Sequence, residues 1–100
     1  MMVTLEAGGT HLYPGARCMV RSGSLPAWPS PQPATCLLVF ADGAFAAGLL
    51  TARGGTDWLL AVNAHPTGRG SAIPARRWLV TVDRTGGKSA LRVRAKLPPA

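Results

Sequence analysis

Short apolar runs separated by glycine, proline and aspartate recur along the chain and predict an all-β protein. Most of these runs alternate between apolar and polar residues or are rich in β-branched and aromatic side chains, which is typical of strands. The predicted strands are 3–6, 10–13, 17–21, 35–41, 58–62, 78–82 and 90–97. Six to eight short strands at near-regular spacing indicate a small antiparallel barrel or sandwich.

Turn residues stand between most of these strands. Gly8-Gly9 predicts a hairpin between the first two strands, and Pro14-Gly15 predicts a turn before the third. Asp42-Gly43 is a pair favoured in tight hairpin turns. The segment Thr85–Gly87 predicts an antiparallel hairpin formed by the last two strands.

Residues 44–53 fit two structures. Asp42 as N-cap and Gly54 as C-cap would suit one short helix at 43–53. Gly48 weakens a helix, and the segments on both sides are predicted strands. The pattern therefore favours a strand over the helix.

The length of 100 residues, 47% of them hydrophobic, suits one packed domain, whereas two domains would each be too small to bury a useful core. We expect a single β domain at 1–97, with a proline-rich loop at 22–35 and a short proline tail at 98–100. Strand number and size are similar to those of SH3-like small barrels, an analogy of fold that does not determine function.

The N-terminal residues lack the basic and apolar regions of a secretory signal. The longest apolar stretch, 34–52, is interrupted by Asp42-Gly43, whereas a membrane span needs about 20 uninterrupted apolar residues. We expect a cytoplasmic protein without a membrane segment. Nine arginines against two lysines are typical of GC-rich coding and predict a bacterial or phage source.

The basic residues are concentrated in the last third of the chain. The formal net charge is +7, and residues 1–68 contain as many acidic as basic side chains. Residues 69–100 contain eight basic side chains against Asp83 alone. An excess of this kind favours nucleic acid, another polyanion or an acidic protein surface as partner.

The strand at 90–97 would place Arg92, Arg94 and Lys96 in an outward row about 6.6 Å apart, with apolar residues pointing inward between them. Such a row suits a phosphate backbone, because each neutralised phosphate releases counterions. A solvated sheet face, or a basic edge strand that resists edge pairing, is the competing interpretation. The predicted site also includes the other basic residues of this region: Arg69 on a glycine-flanked loop, Arg76, Arg77 and Lys88.

The three tryptophans have different settings. Trp58 and Trp78 each begin an apolar strand and are predicted to pack in the core. Trp28 lies in the proline-rich loop, away from any predicted strand. It could plug one end of the barrel, which the pattern favours, or it could stack on a base or anchor a protein partner.

The candidate nucleotide-binding motif is incomplete. Gly86-Gly87-Lys88-Ser89 matches the end of a P-loop, but Val82 stands where the first glycine is needed. A strand, not the required helix, is predicted to follow. Nucleotide hydrolysis is therefore not expected.

Four acidic residues and two histidines leave little material for acid–base catalysis. Cys18, Cys36, His11 and His65 lack the spacings of a zinc site. A Cys–His nucleophile stays open, because such partners meet in space and not in sequence. We expect two free thiols in place of a disulfide, no metal, no cofactor and no enzymatic activity.

The leading hypothesis is a non-enzymatic basic β module that binds nucleic acid or another polyanion through its C-terminal hairpin. The alternative is an assembly or adaptor protein, such as a phage structural component or a small regulator. It would dock on an acidic protein partner, with Trp28 as the contact residue. Oligomers could form through free sheet edges.

Overall fold

The computed structural model describes residues 2–21, 33–62, 76–85 and 88–98. This part of the chain contains seven strands and no helix, so the predicted small all-β barrel is confirmed. The strands are β1 (Met2–Ala7), β2 (Arg17–Val20), β3 (Ala34–Val39), β4 (Phe45–Gly54), β5 (Asp57–Val62), β6 (Arg76–Thr85) and β7 (Lys88–Leu97).

The strands form a closed barrel in the order β1-β2-β7-β6-β5-β4-β3. Parallel pairing of β1 with β3 closes the ring, and every other pair is antiparallel. Every described strand therefore has a neighbour on each side, and closure of this kind removes sheet edges. Because each described strand is paired on both sides, none of them offers a complete free edge for the association through sheet edges that we predicted.

Alternation along the strands fills the barrel interior with apolar side chains. In β5 every second residue is buried, beginning with Trp58. Trp58 and Trp78 are 2% and 6% exposed, which confirms both as core residues. Complete burial of one leucine contributes roughly 1.5–3 kcal/mol. Five leucines from five different strands have no exposed surface: Leu5, Leu38, Leu50, Leu60 and Leu91.

The predicted strand at 10–13 is wrong. Residues 8–16 connect β1 to β2, and the antiparallel partner of β1 is β2. The backbone of this loop forms hydrogen bonds with other parts of the barrel. The Gly15 amide donates to the Val93 carbonyl at 2.8 Å, and the Ala41 amide donates to the Gly9 carbonyl at 3.0 Å. These bonds supply backbone partners that a local hairpin would otherwise have to provide.

The predicted turn at Pro14-Gly15 is confirmed. The Ala16 amide donates to the Tyr13 carbonyl at 3.0 Å, and Gly15 has a φ of 97°. Proline followed by a residue of positive φ is the pattern of a type II turn. The turn brings the chain back to β7, where the Val93 amide donates to the Ala16 carbonyl.

The turn predicted at Asp42-Gly43 is also confirmed, and it joins β3 to β4. The Gly43 amide donates to the Phe40 carbonyl at 3.0 Å, and Gly43 has a φ of 88°. The Asp42 carboxylate accepts the Ala44 amide at 3.0 Å. Residues 45–54 continue as strand β4, so the alternative of a helix at 43–53 is wrong.

Two predicted loops fall largely outside the described residues. Of the loop predicted at 22–35, Ala34 and Thr35 belong to β3, and residues 22–32 lie outside the description. The loop at 63–75 lies outside it as well. Across the described ranges there is no helix that could cross a membrane.

Candidate polyanion-binding face

Strand β7 presents basic side chains on the outer surface of the barrel. Arg92 and Arg94 are exposed, and Val93 between them is buried. The alternation of a strand therefore places both arginines on the outside, roughly 6.6 Å apart along the backbone. This part of the predicted row is present in the structure.

A β-bulge interrupts the predicted row after Arg94. Val80 pairs with Val93, whereas the preceding residue Leu79 pairs with Ala95, so Arg94 is the extra residue on β7. A bulge shifts the alternation of the strand that carries it. Lys96 consequently pairs with the core residue Trp78 and lies on the same face of the sheet as Trp78. It therefore does not continue the outward row of Arg92 and Arg94.

An arginine from the neighbouring strand joins Arg92. Arg17 on β2 is the register partner of Arg92, and the two like charges are therefore adjacent on the outer face. The Oδ2 atom of Asp83 lies between them, 3.4 Å from Arg17 and 3.8 Å from Arg92. Directly opposed like charges destabilise a strand pair, and the carboxylate offsets that repulsion. We call Arg17, Arg92 and Arg94 the basic face.

Sequence reasoning missed Arg17. The residue lies in the first two-thirds of the chain, where basic and acidic side chains are equal in number. The alternation around it predicts a strand, and strand character alone does not say which strand it pairs with. Pairing of β2 with β7 brings Arg17 beside a residue 75 positions away in the chain.

Arg76, Arg77 and Lys96 lie together where β6 begins and β7 ends. Arg76 and Lys96 are exposed, and in this register they are diagonal neighbours across the two strands. Such neighbours are roughly 7–8 Å apart. Arg77 is half-buried and donates from Nη1 to the Pro98 carbonyl at 3.2 Å. These three residues form a basic rim at one end of the barrel, adjacent to the basic face.

The remaining predicted site residues are not part of this cluster as described. The backbone of Lys88 begins β7, so it lies about 26 Å along the strand from Lys96. Arg69 and Trp28 lie outside the described residues. The structure thus brings together five of the predicted basic residues in two neighbouring groups and adds Arg17 to them.

The thiols considered for metal binding or nucleophilic catalysis are core residues. Cys18 and Cys36 are 0% and 1% exposed, and both are free thiols. Burial raises the pKa of Cys18 to about 11. Burial and the neighbouring Cys18 raise the pKa of Cys36 to about 12. His11 lies exposed on the loop outside the barrel, so neither thiol is activated by it.

These raised pKa values predict a loss of stability in alkali. Unfolded thiols ionise near pH 9, whereas the native thiols stay protonated up to about pH 11 for Cys18 and about pH 12 for Cys36. Between these values the unfolded state binds fewer protons, so the free energy of unfolding falls as pH rises. Denaturant unfolding under reducing conditions at pH 7.5, 9 and about 10.5 measures the fall. The free energy of unfolding of the Cys18→Ala/Cys36→Ala variant should fall less steeply with pH than that of the wild type. Equal slopes for the two proteins would contradict the raised thiol pKa values.

No protein-family model matches the sequence, and no curated protein or solved structure is significantly similar to it.

Proposed function

We propose that this protein is a non-enzymatic β-barrel module that binds nucleic acid or another polyanion through its basic face. The observation that carries the proposal is the placement of Arg17, Arg92 and Arg94 on adjacent strands, with Asp83 as their carboxylate neighbour. The basic rim extends this surface toward one end of the barrel. Both surfaces belong to a chain of net charge +7.

The arginines of the basic face are accessible to a ligand. The side chains of Arg17 and Arg92 are 45% and 55% exposed. Their contacts with Asp83 are long, and exposed ion pairs of this kind contribute little to stability. A phosphate group could therefore replace the carboxylate at small cost. Arginine is well suited to this exchange, because its planar guanidinium binds phosphate through two parallel hydrogen bonds.

The number of contacts sets the expected salt dependence. The three arginines of the basic face, together with Arg76 and Lys96 on the rim, provide three to five phosphate contacts. Each contact contributes about −0.9 to the slope of log K against log salt concentration on duplex DNA. The proposal therefore predicts a slope of about −3 to −5.

Fluorescence anisotropy with labelled single-stranded DNA, double-stranded DNA and RNA tests this prediction. Titrations at several salt concentrations give the slope, and unlabelled heparin as competitor tests for a general polyanion site. We expect binding that weakens steeply with salt. A flat salt response, or no binding at about 50 mM salt, would overturn the proposal.

A further inference from the structure

An exposed pair of aromatic rings lies on the loop between β1 and β2. The ring centroids of His11 and Tyr13 are 5.7 Å apart, and the ring planes are tilted by 55°. Tyr13 is 49% exposed, and His11 is exposed as well. Trp58 and Trp78, by contrast, are enclosed in the core of the barrel. The Tyr13 ring therefore leaves a large apolar area in contact with water, where a flat ligand can stack on it.

The loop holds the Tyr13 ring in place. The ring packs against His11, and a Cβ atom added at Gly9 would lie 4.0 Å from its Cε1 atom, so the ring also lies close to the loop backbone. Backbone hydrogen bonds anchor the loop on both sides of the pair. The Gly9 carbonyl accepts the Ala41 amide at 3.0 Å. The Tyr13 carbonyl accepts the Ala16 amide, also at 3.0 Å. A ring that is already ordered loses little conformational entropy when a ligand stacks on it.

The turn that follows Tyr13 connects the aromatic pair to the basic face. Tyr13 and Ala16 are the first and last residues of this turn, so their Cα atoms lie within about 7 Å of each other. Arg17 follows Ala16 directly, and its Cα atom is therefore at most about 11 Å from that of Tyr13. The Val93 amide donates to the Ala16 carbonyl at 2.8 Å, and Val93 lies between the two exposed arginines of β7. The loop therefore carries the aromatic pair beside the basic face.

The basic rim lies at the same end of the barrel as the aromatic pair. Strand β2 runs antiparallel to β7, so the residues that precede Arg17 lie level with those that follow Arg92. Lys96 of the rim belongs to this end of β7. Residues 8–16 contain no acidic side chain that would repel a phosphate. The aromatic pair therefore lies near both groups of basic side chains.

We infer that the ligand of this protein is single-stranded nucleic acid, with a base stacked on Tyr13 and neighbouring phosphates on the basic face, an assignment that rests on the proposed function. Stacking on an aromatic side chain requires a base with a free face, which a single strand supplies. The bases of a duplex are covered by their neighbours, and heparin has no bases. Because every base has a flat face, we expect little preference for sequence.

Anisotropy titrations with labelled oligonucleotides of about 12 nucleotides test this assignment, since small β-barrels bind single strands of about this length. The ligands are oligothymidylate, oligouridylate and a DNA duplex of the same length. We expect both single strands to bind at least about fivefold more tightly than the duplex at about 0.1 M salt. Equal affinity for the duplex would overturn the inference and leave the proposed function standing. If neither heparin nor any oligonucleotide bound, the proposed function would fail together with the inference.

Tyr13→Ala is the decisive variant, because it removes the ring without changing the net charge. Its affinity for the single strands should be about 5- to 100-fold lower than that of the wild type. The salt slope and the affinity for heparin should not change, since the basic side chains are all kept. Unchanged binding of heparin also shows that the variant is folded. A Tyr13→Ala protein that binds single strands as tightly as the wild type would contradict the inference.

Three further variants separate the ring from its surroundings. Tyr13→Phe keeps the ring and should bind single strands like the wild type. Tyr13→Leu keeps apolar bulk without a flat ring, so it should lose affinity, and it serves if Tyr13→Ala does not fold. Phe45→Ala is the matched control, because Phe45 is a 54% exposed ring on β4, on the opposite side of the barrel from β2 and β7. A loss of affinity in Phe45→Ala as large as that in Tyr13→Ala would contradict stacking on Tyr13.

Discussion

Replacing Arg92 and Arg94 together with alanine should weaken binding to DNA roughly 50-fold at 0.1 M salt and reduce the salt slope by about two. Both side chains are exposed on the outer surface of β7. Their removal eliminates two phosphate contacts while the buried Val93 between them is kept. Anisotropy titrations of both proteins at several salt concentrations measure the change.

The matched control is Arg53→Glu on β4. This single change also lowers the net charge from +7 to +5, but it does so on the opposite side of the barrel from β7. Its affinity should stay within a few-fold of the wild type. If Arg53→Glu weakened binding as much as the double variant, binding would depend on total charge and the basic face would not be the site.

Asp83→Asn should act in the opposite direction. It removes the carboxylate that lies within 4 Å of both Arg17 and Arg92 while preserving the size of the side chain. We expect tighter binding and slightly lower stability, because Arg17 and Arg92 are then opposed without compensation. General unfolding lowers affinity, so a gain of affinity in this variant separates the electrostatic effect from damage to the fold.

Gly48→Ala is expected to destabilise the barrel by about 1–3 kcal/mol, the usual cost of overpacking a core. An added Cβ atom would lie 2.8 Å from Sγ of Cys36 and 2.9 Å from the Ala61 carbonyl oxygen. The backbone oxygen belongs to the adjacent strand β5, so relief requires movement of the sheet itself. Each kcal/mol lost should lower the melting temperature by about 4–8 °C.

Gly8→Ala is the matched control for this prediction. An added Cβ atom at position 8 meets nothing within 4 Å. Its melting temperature should therefore stay near that of the wild type, since the change is the same and only the packing differs. If Gly48→Ala had the same melting temperature as Gly8→Ala, then β3, β4 and β5 would pack less closely than the structure indicates.

Local signals accounted for the turn at Pro14-Gly15 and for the hairpins β3–β4 and β6–β7. Asp42-Gly43 and Pro14-Gly15 form the turns that their residue types favour, with both glycines at positive φ. The hairpin of β6 and β7 follows from the alternation in the residues before and after Gly86-Gly87. Trp58 and Trp78 are in the core because each begins an apolar strand. These features depend on neighbouring residues, so the sequence is sufficient for them.

Features that depend on distant pairing were missed or misplaced. Residues 10–13 carry strand-like side chains, yet their backbone lies in a loop that bonds to Val93 and to the β3–β4 turn. Arg17 joins the basic face only through the pairing of β2 with β7. Lys96 leaves the predicted row because of the extra residue in β7. For residues 10–13 and Arg17 the deciding partners are remote in sequence, and alternation identifies neither these partners nor the bulge in β7.

The sequence by itself determined that this chain is a small all-β domain with a strongly basic last third, because periodicity, turn residues and charge are properties of the chain. Only the tertiary structure decided which arginines are neighbours and which apolar residues remain outside. Closure of the barrel through the parallel pairing of β1 and β3 gives every strand one inner and one outer face. That closure places charge on the side of β2 and β7, and apolar surface on β3, β4 and β5.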